Sequence, residues 1–514
     1  MEVWFILFTS LCICATLKFL LDHCSLSSDK HKKLPPGPFA LPIICNILWN
    51  RKSLSEIECI LRDMHTKYGS IIRFNFGFHQ AISITTHELA HKALIQHGAI
   101  FADRPSALDP NSFITTNRYS ISSASCGLLW RLFRRNLTSG ILHASRVKSY
   151  GHTRKRVLQI LINRLKEQDK SNESICVVDY FQYAMFCFLV HMCFGEKLNE
   201  EIIRDIETIQ RKLLTSFGQF NMLALVPILG KIIFRKKRNK LYELRRNQLS
   251  VLIPLIRARK EHEKKTQCQV GEGDMVVCYV DTLLNLRLPN GGRKLTEEEI
   301  VPLCSEFLNA GTDTTSTAMQ WIMANLVKYP CIQAKLLSEI EGVVGPGEEI
   351  KEDDLKNMPY LRAVVLEGLR RHPPSHFLIP HTVTEDITID GRLVPKNAIV
   401  SFTITDMGWD PKVWEDPMEF KPERFLTGDD GLEQKVFDIT GSREIKMMPF
   451  GAGRRICPGL SVALLHLEYF VANLVKEFEW TTKDGDEVDL TEKQVFTVVM
   501  KNPLRVHLSP RNIG

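Results

Sequence analysis

The sequence contains no Cys-x-x-Cys pair, no internal repeat and no low-complexity tract. Its 14 cysteines are scattered, and several lie in apolar runs such as Ala184–Phe194, where a free cysteine packs as a small hydrophobe. This pattern predicts neither a disulfide framework nor a zinc site, and it indicates a reducing compartment for the main body. The excess of 66 basic over 59 acidic residues is small for 514 residues, so it does not favour nucleic-acid binding.

Apolar residues dominate the amino terminus from Val3 to Leu21, where Lys18 is the charged residue. The stretch reaches the length of a membrane span, about 17–25 residues, if Lys18 extends its amine to the headgroups. A cleaved signal peptide is the alternative, but the chain starts with Glu2 and its positive charge follows at Lys30–Lys33. Because positive flanks stay in the cytosol, we predict an uncleaved membrane anchor over residues 1–23.

The anchor is followed by the segment Leu34-Pro35-Pro36-Gly37-Pro38, which cannot be helical because its prolines lack donors. We predict a basic, proline-rich hinge over residues 24–38 and one folded domain over residues 39–514. Length alone suggests two or three domains, since single cores rarely exceed about 250–300 residues, but a large cofactor can anchor one bigger fold.

The body is predicted to be mainly α-helical with a smaller β region (α+β). Strand-like runs occur at Ile71–Phe76 and Ala81–Ile84. Asp390-Gly391 between apolar residues predicts a hairpin, because such a turn requires positive φ. Helical spacing of apolar and charged residues covers Ile202–Phe217 and Leu241–Arg257.

A long central helix is predicted after the polar stretch Glu261–Arg293, which is expected to be a surface connection. Thr296 and Glu299 form a capping-box pattern, and the helix is expected to continue to Lys328, before Pro330. Pro302 lies in its first turns and would cost about 3 kcal/mol or force a kink, so regular helix is expected nearer residue 301.

The middle of this helix carries Ala310-Gly-Thr-Asp313-Thr314-Thr315, which is poor helix-forming sequence. Threonine hydroxyls can donate to the carbonyl four residues earlier and loosen the helix. A strained turn with an acid and an alcohol would suit proton transfer. The alternative is an ordinary polar helix face.

The strongest chemical signal is Phe450-Gly-Ala-Gly-Arg-Arg455-Ile-Cys457-Pro-Gly459. A thiolate is a useful metal ligand only if its charge is stabilised, and flanking glycines let backbone N–H groups approach the sulfur. Arg455 would pair with an anionic cofactor group as a forked donor. The alternative is a basic glycine loop with an incidental cysteine.

This string resembles the haem-binding signature of cytochromes P-450, Phe-x-x-Gly-x-Arg-x-Cys-x-Gly, at every fixed position, and the tail from Leu303 is similar to plant microsomal members. The resemblance implies a cytochrome P-450 fold around a buried haem b. It implies that Cys457 is the axial iron ligand and that Arg455 contacts a haem propionate. Phe450 would pack beside the thiolate, and Gly459 completes the signature.

The same resemblance implies roles for residues elsewhere in the chain. Trp130 and Arg134 resemble the family's Trp-x-x-x-Arg helix that binds a propionate, and His381 falls in a loop that contacts another propionate. Asp313 and Thr314 resemble the oxygen-activation motif and would deliver the protons that O–O cleavage needs.

A further motif pairs Glu367 with Arg370, at a spacing of three residues on one helix face. Such a pair is usually an exposed ion pair worth less than about 1 kcal/mol. The family has the same Glu-x-x-Arg, completed by an arginine from a Pro-Glu-Arg-Phe loop. The resemblance therefore implies a buried structural triad of Glu367, Arg370 and Arg424.

The predicted function is a haem-thiolate monooxygenase that inserts one oxygen atom from O2 into a lipophilic small molecule. Its electrons would come from NADPH through NADPH–cytochrome P-450 reductase. The chain would be a single-pass protein of the endoplasmic reticulum membrane with a cytosolic catalytic domain, binding the lipid bilayer and no nucleic acid. The family positions of the pocket walls are apolar: Phe113, Phe307, Phe377–Ile379 and Phe496–Val498.

Two basic stretches are candidate surfaces. Lys231–Arg246 holds eight basic residues and one acidic residue after the apolar stretch Met222–Leu229, which predicts either lipid contact or a solvated helix face. Arg131, Arg134 and Arg135 would dock an acidic reductase.

Two other function classes are weighed against the monooxygenase. A haem-thiolate isomerase or dehydratase acting on hydroperoxides would typically lack the mid-helix acid–alcohol pair, which is intact here. A non-catalytic membrane protein is disfavoured because three catalytic-type motifs occur in order. Cys45 and Pro302 depart from the family pattern, so the local backbone is expected to differ from the family's at these two positions.

Overall fold

The structure is a computed structural model of the chain, and it describes residues 10, 34–38, 52–76, 79–106, 109–169, 174–195, 198–216, 220, 234–268, 276–289, 291–345, 347–427, 433–434, 436–482 and 486–511. Cys45 and nearly all of the predicted anchor over residues 1–23 lie outside these residues. Among the helices that the structure does describe, none is both long enough and apolar enough to cross a membrane.

Helices make up most of the described chain, as predicted. They are α1 (Leu54–Tyr68), α2 (His87–His91), α3 (Asp109–Ile114), α4 (Leu128–Gly140), α5 (Ala144–Ser149), α6 (Gly151–Asp169), α7 (Val178–Phe194), α8 (Glu200–Ser216), α9 (Arg235–Cys268), α10 (Tyr279–Leu284), α11 (Glu297–Lys328), α12 (Pro330–Val343), α13 (Pro359–Arg371), α14 (Ile404–Gly408) and α15 (Leu460–Glu477).

The strands form small sheets beside the helices. They are β1 (Ile71–Phe76), β2 (His79–Ile84), β3 (Ile175–Cys176), β4 (His381–Thr382), β5 (Ile387–Ile389), β6 (Arg392–Val394), β7 (Ile399–Phe402), β8 (Leu426–Thr427), β9 (Glu433–Gln434), β10 (Phe478–Thr481), β11 (Glu492–Gln494), β12 (Val498–Met500) and β13 (Arg505–Pro510). In the described residues, one sheet has the order β1-β2-β7-β4, another β10-β13-β3, and three hairpins pair β5 with β6, β8 with β9, and β11 with β12.

Two local predictions about strands are confirmed. The early strands pair as an antiparallel hairpin with Ile71 opposite Ile84, and β2 runs parallel to β7. The later hairpin turns at Asp390 and Gly391, which have φ of 50° and 70°. Positive φ at both central residues matches the twist of the flanking strands, which is why this dipeptide is a strong hairpin signal.

The core is built around α11, which packs mainly against α7. Helix α7 is apolar on all sides, and it is buried from Phe181 to Phe194. A helix that is hydrophobic all round must be covered on all sides, so α7 lies inside the larger core cluster.

The predicted start of α11 near residue 301 is wrong, because the helix begins at Glu297 with the capping box of Thr296 and Glu299 in place. Pro302 is inside the helix and cannot donate to the carbonyl of Glu298. Arg245 Nη2 donates to that carbonyl instead, at 3.2 Å. A side chain from another helix therefore replaces the missing intrahelical bond.

The prediction that Glu261–Arg293 is a surface connection is also wrong in part. Helix α9 continues to Cys268, and α10 buries Tyr279, Val280, Leu283 and Leu284. Their spacing of one, three and four residues places them on one helix face, which packs into the core.

The described end of the predicted hinge lies against the sheet. Arg73 N donates to the carbonyl of Pro36 at 2.8 Å. A side chain at Gly37 would collide with the carbonyl oxygen of Arg73, 1.8 Å from the ideal Cβ position. Residues 34–38 therefore dock on β1 through backbone contacts that require glycine at position 37.

Candidate active site

The thiol of Cys457 lies in a tight loop that leads into α15. Cys457 N donates to the carbonyl of Phe450 at 2.8 Å, which closes the loop. Gly451 and Gly453 have φ of 71° and 70°, a region that glycine adopts without strain. A Cβ on Gly453 would lie 2.0 Å from the carbonyl oxygen of Leu94, so only glycine fits this close approach.

The surroundings of Cys457 have opposing effects on the pKa of its thiol. Burial raises the pKa of the thiol, while a hydrogen bond from the Gly459 backbone and the positive charge of Arg134 lower it. Gly459 is also the N-cap of α15. The amino-terminal end of a helix favours negative charge, and a bound metal cation would supply the rest of the stabilisation that a buried thiolate needs.

Arg455 connects the cysteine loop to residues 102–124. Its guanidinium donates to the carbonyls of Ala102 (2.7 Å), Ile121 (3.0 Å) and Ala124 (2.6 Å). It also lies 4.3 Å from the ring centroid of Trp130. Burial lowers the pKa of Arg455 to about 10, so the group remains charged at neutral pH.

Trp130 and Arg134 lie one turn apart on α4, beside the cysteine loop. Arg134 Nη2 donates to the carbonyl of Ile456 at 2.6 Å. The Nε1 of Trp130 is buried and has no hydrogen-bond partner among the described residues. A buried indole N–H normally has an acceptor, so this donor remains available to an acceptor atom of a ligand.

His381 is buried at the start of β4, and its Nδ1 lies 2.7 Å from the carbonyl of Phe101. Burial lowers its pKa to about 3, helped by the positive charges of Arg104 and Arg455. The imidazole is therefore neutral, and Nδ1 carries its proton because the partner is a carbonyl oxygen. Its Nε2 is then an acceptor and cannot donate to an anion. An anion bound beside His381 would therefore need a donor from a neighbouring residue.

Arg104 supplies such a donor, and the sequence analysis missed it. Its Nη1 donates to the carbonyls of Ile379 (2.7 Å) and Pro380 (2.9 Å), and its Nε to the carbonyl of Ser122 (2.9 Å). Burial lowers its pKa to about 9. The surrounding sequence, Phe101-Ala-Asp-Arg104-Pro, carries no spacing that marks this arginine as part of a site.

The three arginines Arg104, Arg134 and Arg455 thus surround the region between the cysteine loop and His381. All of the hydrogen-bond partners described above are neutral backbone carbonyls. In the described part of the chain, no carboxylate forms an ion pair with any of the three. Asp103 and Glu306 are close enough to offset part of the positive charge without pairing with it, and the remaining charge suits an anionic ligand.

The middle of α11 presents an open turn. Thr314 Oγ1 donates to the carbonyl of Ala310 at 2.6 Å, the i to i−4 contact that loosens a helix. Ala310 is exposed although its helix is mostly buried, so free space lies beside it. A Cβ on Gly311 would lie 2.7 Å from Leu189 Cδ1, so glycine lets α7 pack close behind this turn.

Asp313 and Thr314 are neighbours in sequence but contact different groups. Asp313 Oδ1 accepts from Gln182 Nε2 at 2.9 Å, and Gln182 accepts in turn from Arg211 on α8. Burial raises the pKa of Asp313 to about 6, opposed by the charge of Arg211 and the bond from Gln182. A carboxyl that titrates near neutral pH is well suited to proton transfer. No sequence motif marks Gln182, because it lies within the apolar run of α7.

The structure brings Glu367, Arg370 and Arg424 together in a buried cluster. Glu367 accepts two hydrogen bonds from Arg370, at 2.7 and 2.8 Å, and one from Arg424, at 3.1 Å. The side chains of Glu367 and Arg370 have no exposed surface. Arg370 also donates to the carbonyls of Gly408 and Pro417, which ties α13 to the loop before Arg424.

The predicted pocket walls divide into two groups. Phe113, Ile379 and Phe496 are exposed by 40, 55 and 48%, and the ring of Phe113 also packs edge-on against Tyr242, with 4.7 Å between the ring centroids. Phe307 instead is buried in the core, and its ring centroid lies 5.0 Å from that of Tyr279.

The candidate surfaces are described only in part. Arg131 and Arg135 are exposed on α4, whereas Arg134 turns inward to the cysteine loop. Arg235 and Lys236 are exposed at the start of α9. The apolar stretch Met222–Leu229, for which lipid contact is one of two alternatives, lies outside the described residues.

Comparisons with known proteins agree on one family. The cytochrome P450 family model matches residues 35–508. "Cytochrome P450 89A9" of Arabidopsis thaliana is 49% identical over 492 residues, covering 93% of this chain and 94% of its own length. "Flavonoid 3'-monooxygenase" of the same plant is 30% identical over 503 residues, covering 94% of this chain and 92% of its own. A zebra fish cytochrome P450 solved with abiraterone has a TM-score of 0.70 at 22% identity, covers 89% of this chain and 100% of its own, and supports the fold alone.

Proposed function

Because the chain belongs to the cytochrome P450 family of monooxygenases, we propose that it is a haem-thiolate enzyme that inserts one oxygen atom from O2 into a lipophilic small molecule. The observation that carries the proposal is the glycine-bounded loop of Cys457 beside Arg104, Arg134 and Arg455, which form no ion pair with a carboxylate of the described residues.

The residues around this loop fit a haem. Cys457 would ligate the iron, and Phe450, which is partly buried against the core, would pack beside the sulfur. Arg134 and Arg455 would hold the two propionates, and Arg104 would assist them in place of the neutral His381. The unpartnered Nε1 of Trp130 supports this fit, because a propionate oxygen is an acceptor that it lacks in the protein.

When bound, a haem with a thiolate ligand supplies O2 activation and O–O bond cleavage. The protein's own contribution is to move protons and exclude water. Asp313 would hold a proton at its buried carboxyl, and Gln182 and Arg211 would connect that carboxyl to the surface of α8. Thr314 would offer its hydroxyl on the open side of α11, where Ala310 borders free space.

The substrate is proposed to be a lipophilic plant metabolite. Phe113, Ile379 and Phe496 present exposed apolar surface, and a relative is named for action on flavonoids, which are aromatic small molecules. We propose that NADPH supplies the electrons through a P-450 reductase that docks on α4. We also propose that residues 1–23 anchor the chain in the endoplasmic reticulum membrane, with residues 39–514 as the haem-binding catalytic domain in the cytosol.

The second candidate function is rearrangement or dehydration of hydroperoxides, which needs neither O2 nor a reductase. The intact pair of Asp313 and Thr314 favours the monooxygenase, because reduction of O2 to product and water takes up two protons from outside the substrate, whereas rearrangement or dehydration of a hydroperoxide has no net proton uptake. Incubation of the enzyme with a reductase, NADPH, 18O2 and a panel of lipophilic compounds separates the two. Incorporation of one 18O atom per product is expected, whereas products formed from hydroperoxides without NADPH or O2 would reject the proposal.

A further inference from the structure

Three consecutive non-glycine residues, Thr116, Asn117 and Arg118, have φ of 49°, 58° and 70°. L-residues other than glycine seldom adopt positive φ, and a β-branched threonine is particularly strained there. Strain of this kind persists only where the surrounding structure enforces it. This strained turn, Thr116–Arg118, therefore needs contacts that hold it in place.

Pro302 makes one such contact possible. Since Pro302 has no N–H, the carbonyl of Glu298 has no partner within α11. Thr116 Oγ1 donates to this carbonyl at 3.3 Å, and Arg245 Nη2 donates to it at 3.2 Å. The same Nη2 also donates to Thr116 Oγ1, at 2.7 Å. Helix α9, helix α11 and the strained turn thus meet at one backbone oxygen.

Arg245 is fixed from its other side as well. It is only 5% exposed, and its Nη1 donates to Gln248 Oε1 at 2.5 Å. Gln248 Nε2 donates to Ser305 Oγ at 2.7 Å, one turn beyond Pro302 on α11. A buried guanidinium is tolerated only when its donors are satisfied, so this network holds Arg245 on the carbonyl of Glu298.

A second contact from α11 holds the chain that follows the strained turn. Glu306 accepts from the backbone N of Ile121 at 2.6 Å and of Ser122 at 2.7 Å. The carbonyls of these two residues accept from Arg455 and Arg104. Glu306 lies eight residues after Glu298, about 12 Å along the helix. Residues 116–124 therefore run beside α11, from the strained turn to the arginines of the site.

We propose that Pro302 and Arg245 are positioning residues that hold residues 116–124 closed along the edge of the active site. This inference rests on the proposed function for the identity of that site. Ala310, which borders the open space, lies one turn beyond Glu306 on the same helix. Loosening of residues 116–124 would widen the opening beside Ala310 and weaken the binding of bulky ligands, while Cys457 stays in place.

The substitution Pro302→Ala separates this role from a purely structural one. It restores the backbone N–H that can donate to the carbonyl of Glu298, so α11 itself becomes more stable. That N–H then competes with Thr116 and Arg245 for the carbonyl. We expect the thermal midpoint to rise or stay equal, and residues 116–124 to open more often. Arg245→Met should have the same effect on residues 116–124, because it removes the donor to the carbonyl of Glu298 and to Thr116 Oγ1. Arg246→Gln, at the exposed neighbour on α9, is the matched control.

The direct measurement is hydrogen–deuterium exchange of the amides in residues 116–124 of the full-length holoenzyme in detergent. Exchange should be faster by about tenfold in both P302A and R245M, the factor expected from loss of one hydrogen bond to a charged group, and unchanged in R246Q. Optical titrations provide the ligand readout. The Kd for clotrimazole, a bulky azole, should rise by about tenfold, while the Kd for imidazole stays the same.

Wild-type exchange in residues 116–124 of P302A would overturn the proposal, and this variant decides the matter even if R245M fails to fold. An equal change in the Kd of clotrimazole and imidazole would also overturn it, because the effect would then lie at the metal. If neither azole shifts the spectrum of the wild-type protein, the proposed function fails, and the exchange result still decides the role of Pro302.

Discussion

Replacement of Glu367 by glutamine tests how much the buried cluster with Arg370 and Arg424 contributes to stability. The side chains of Glu367 and Arg370 are fully buried, and that of Arg424 is 9% exposed. Glutamine keeps the shape but removes the negative charge and replaces one acceptor oxygen by an NH2 group that faces a guanidinium donor. Breaking a buried ion pair on one side costs about 3–5 kcal/mol, because the remaining charges stay buried.

The size of the domain converts this free energy into a temperature. An unfolding entropy of about 2.1 cal/mol/K per residue, taken over residues 35–508, gives about 1 kcal/mol per degree. The Tm of E367Q should therefore fall by about 3–5 °C, measured by calorimetry of the holoenzyme at several scan rates. The control is Glu419→Gln, whose side chain is 62% exposed and contacts Lys421 at 2.8 Å, and it should shift Tm by less than about 1 °C. Equal Tm values for E367Q and the wild type would refute the reasoning.

Three further predictions concern titratable groups and proton delivery. Burial opposes ionisation of Glu492, but hydrogen bonds from His372 and His376 outweigh it and lower its pKa to about 2. Burial likewise opposes protonation of His376, but its contacts with carboxylates raise its pKa to about 9. The stabilisation that ionised Glu492 provides is thus present above about pH 4.5 and lost as the pH falls toward 2. The stabilisation that protonated His376 provides is present below about pH 6.5 and lost as the pH rises through 9. In Glu492→Gln, both limbs of a plot of Tm against pH should become shallower. Thr314→Ala should release more hydrogen peroxide per NADPH oxidised, and Asp313→Asn should remove an inflection near pH 6 from the rate profile.

Each of these predictions has an outcome that contradicts it. An unchanged Tm profile in E492Q would mean that the contacts of Glu492 do not persist in solution. Wild-type peroxide yields in T314A would remove Thr314 from proton delivery. A rate profile that keeps its inflection in D313N would assign that titration to another group.

Features that depend on neighbours in sequence could be predicted from the sequence. Asp390-Gly391 forms its turn because both residues accept positive φ, and the Thr296–Glu299 pair caps α11 through its own side chains. The loop of Cys457 was found in the same way, since its glycines and the cysteine lie within ten residues. In these examples the causal contacts are local, so the sequence pattern contains them.

Features that depend on distant partners could not be predicted. Pro302 should have delayed the start of α11, but Arg245, 57 residues earlier in the chain, donates to the carbonyl that the proline leaves free. Arg104 joins the site only because the fold brings the carbonyls of Ile379 and Pro380 to it. A single sequence does not reveal which donor will meet which carbonyl across such distances.

The central claim is that the sulfur of Cys457 ligates a haem iron as a thiolate, and the spectrum of the reduced, carbon-monoxide-bound protein tests it most directly. The wild-type protein and Cys331→Ser, a variant at an exposed cysteine, should both absorb near about 450 nm, and Cys457→Ser should lose this band. A band near about 420 nm in folded wild-type protein, or an unchanged band near about 450 nm in C457S, would contradict the account.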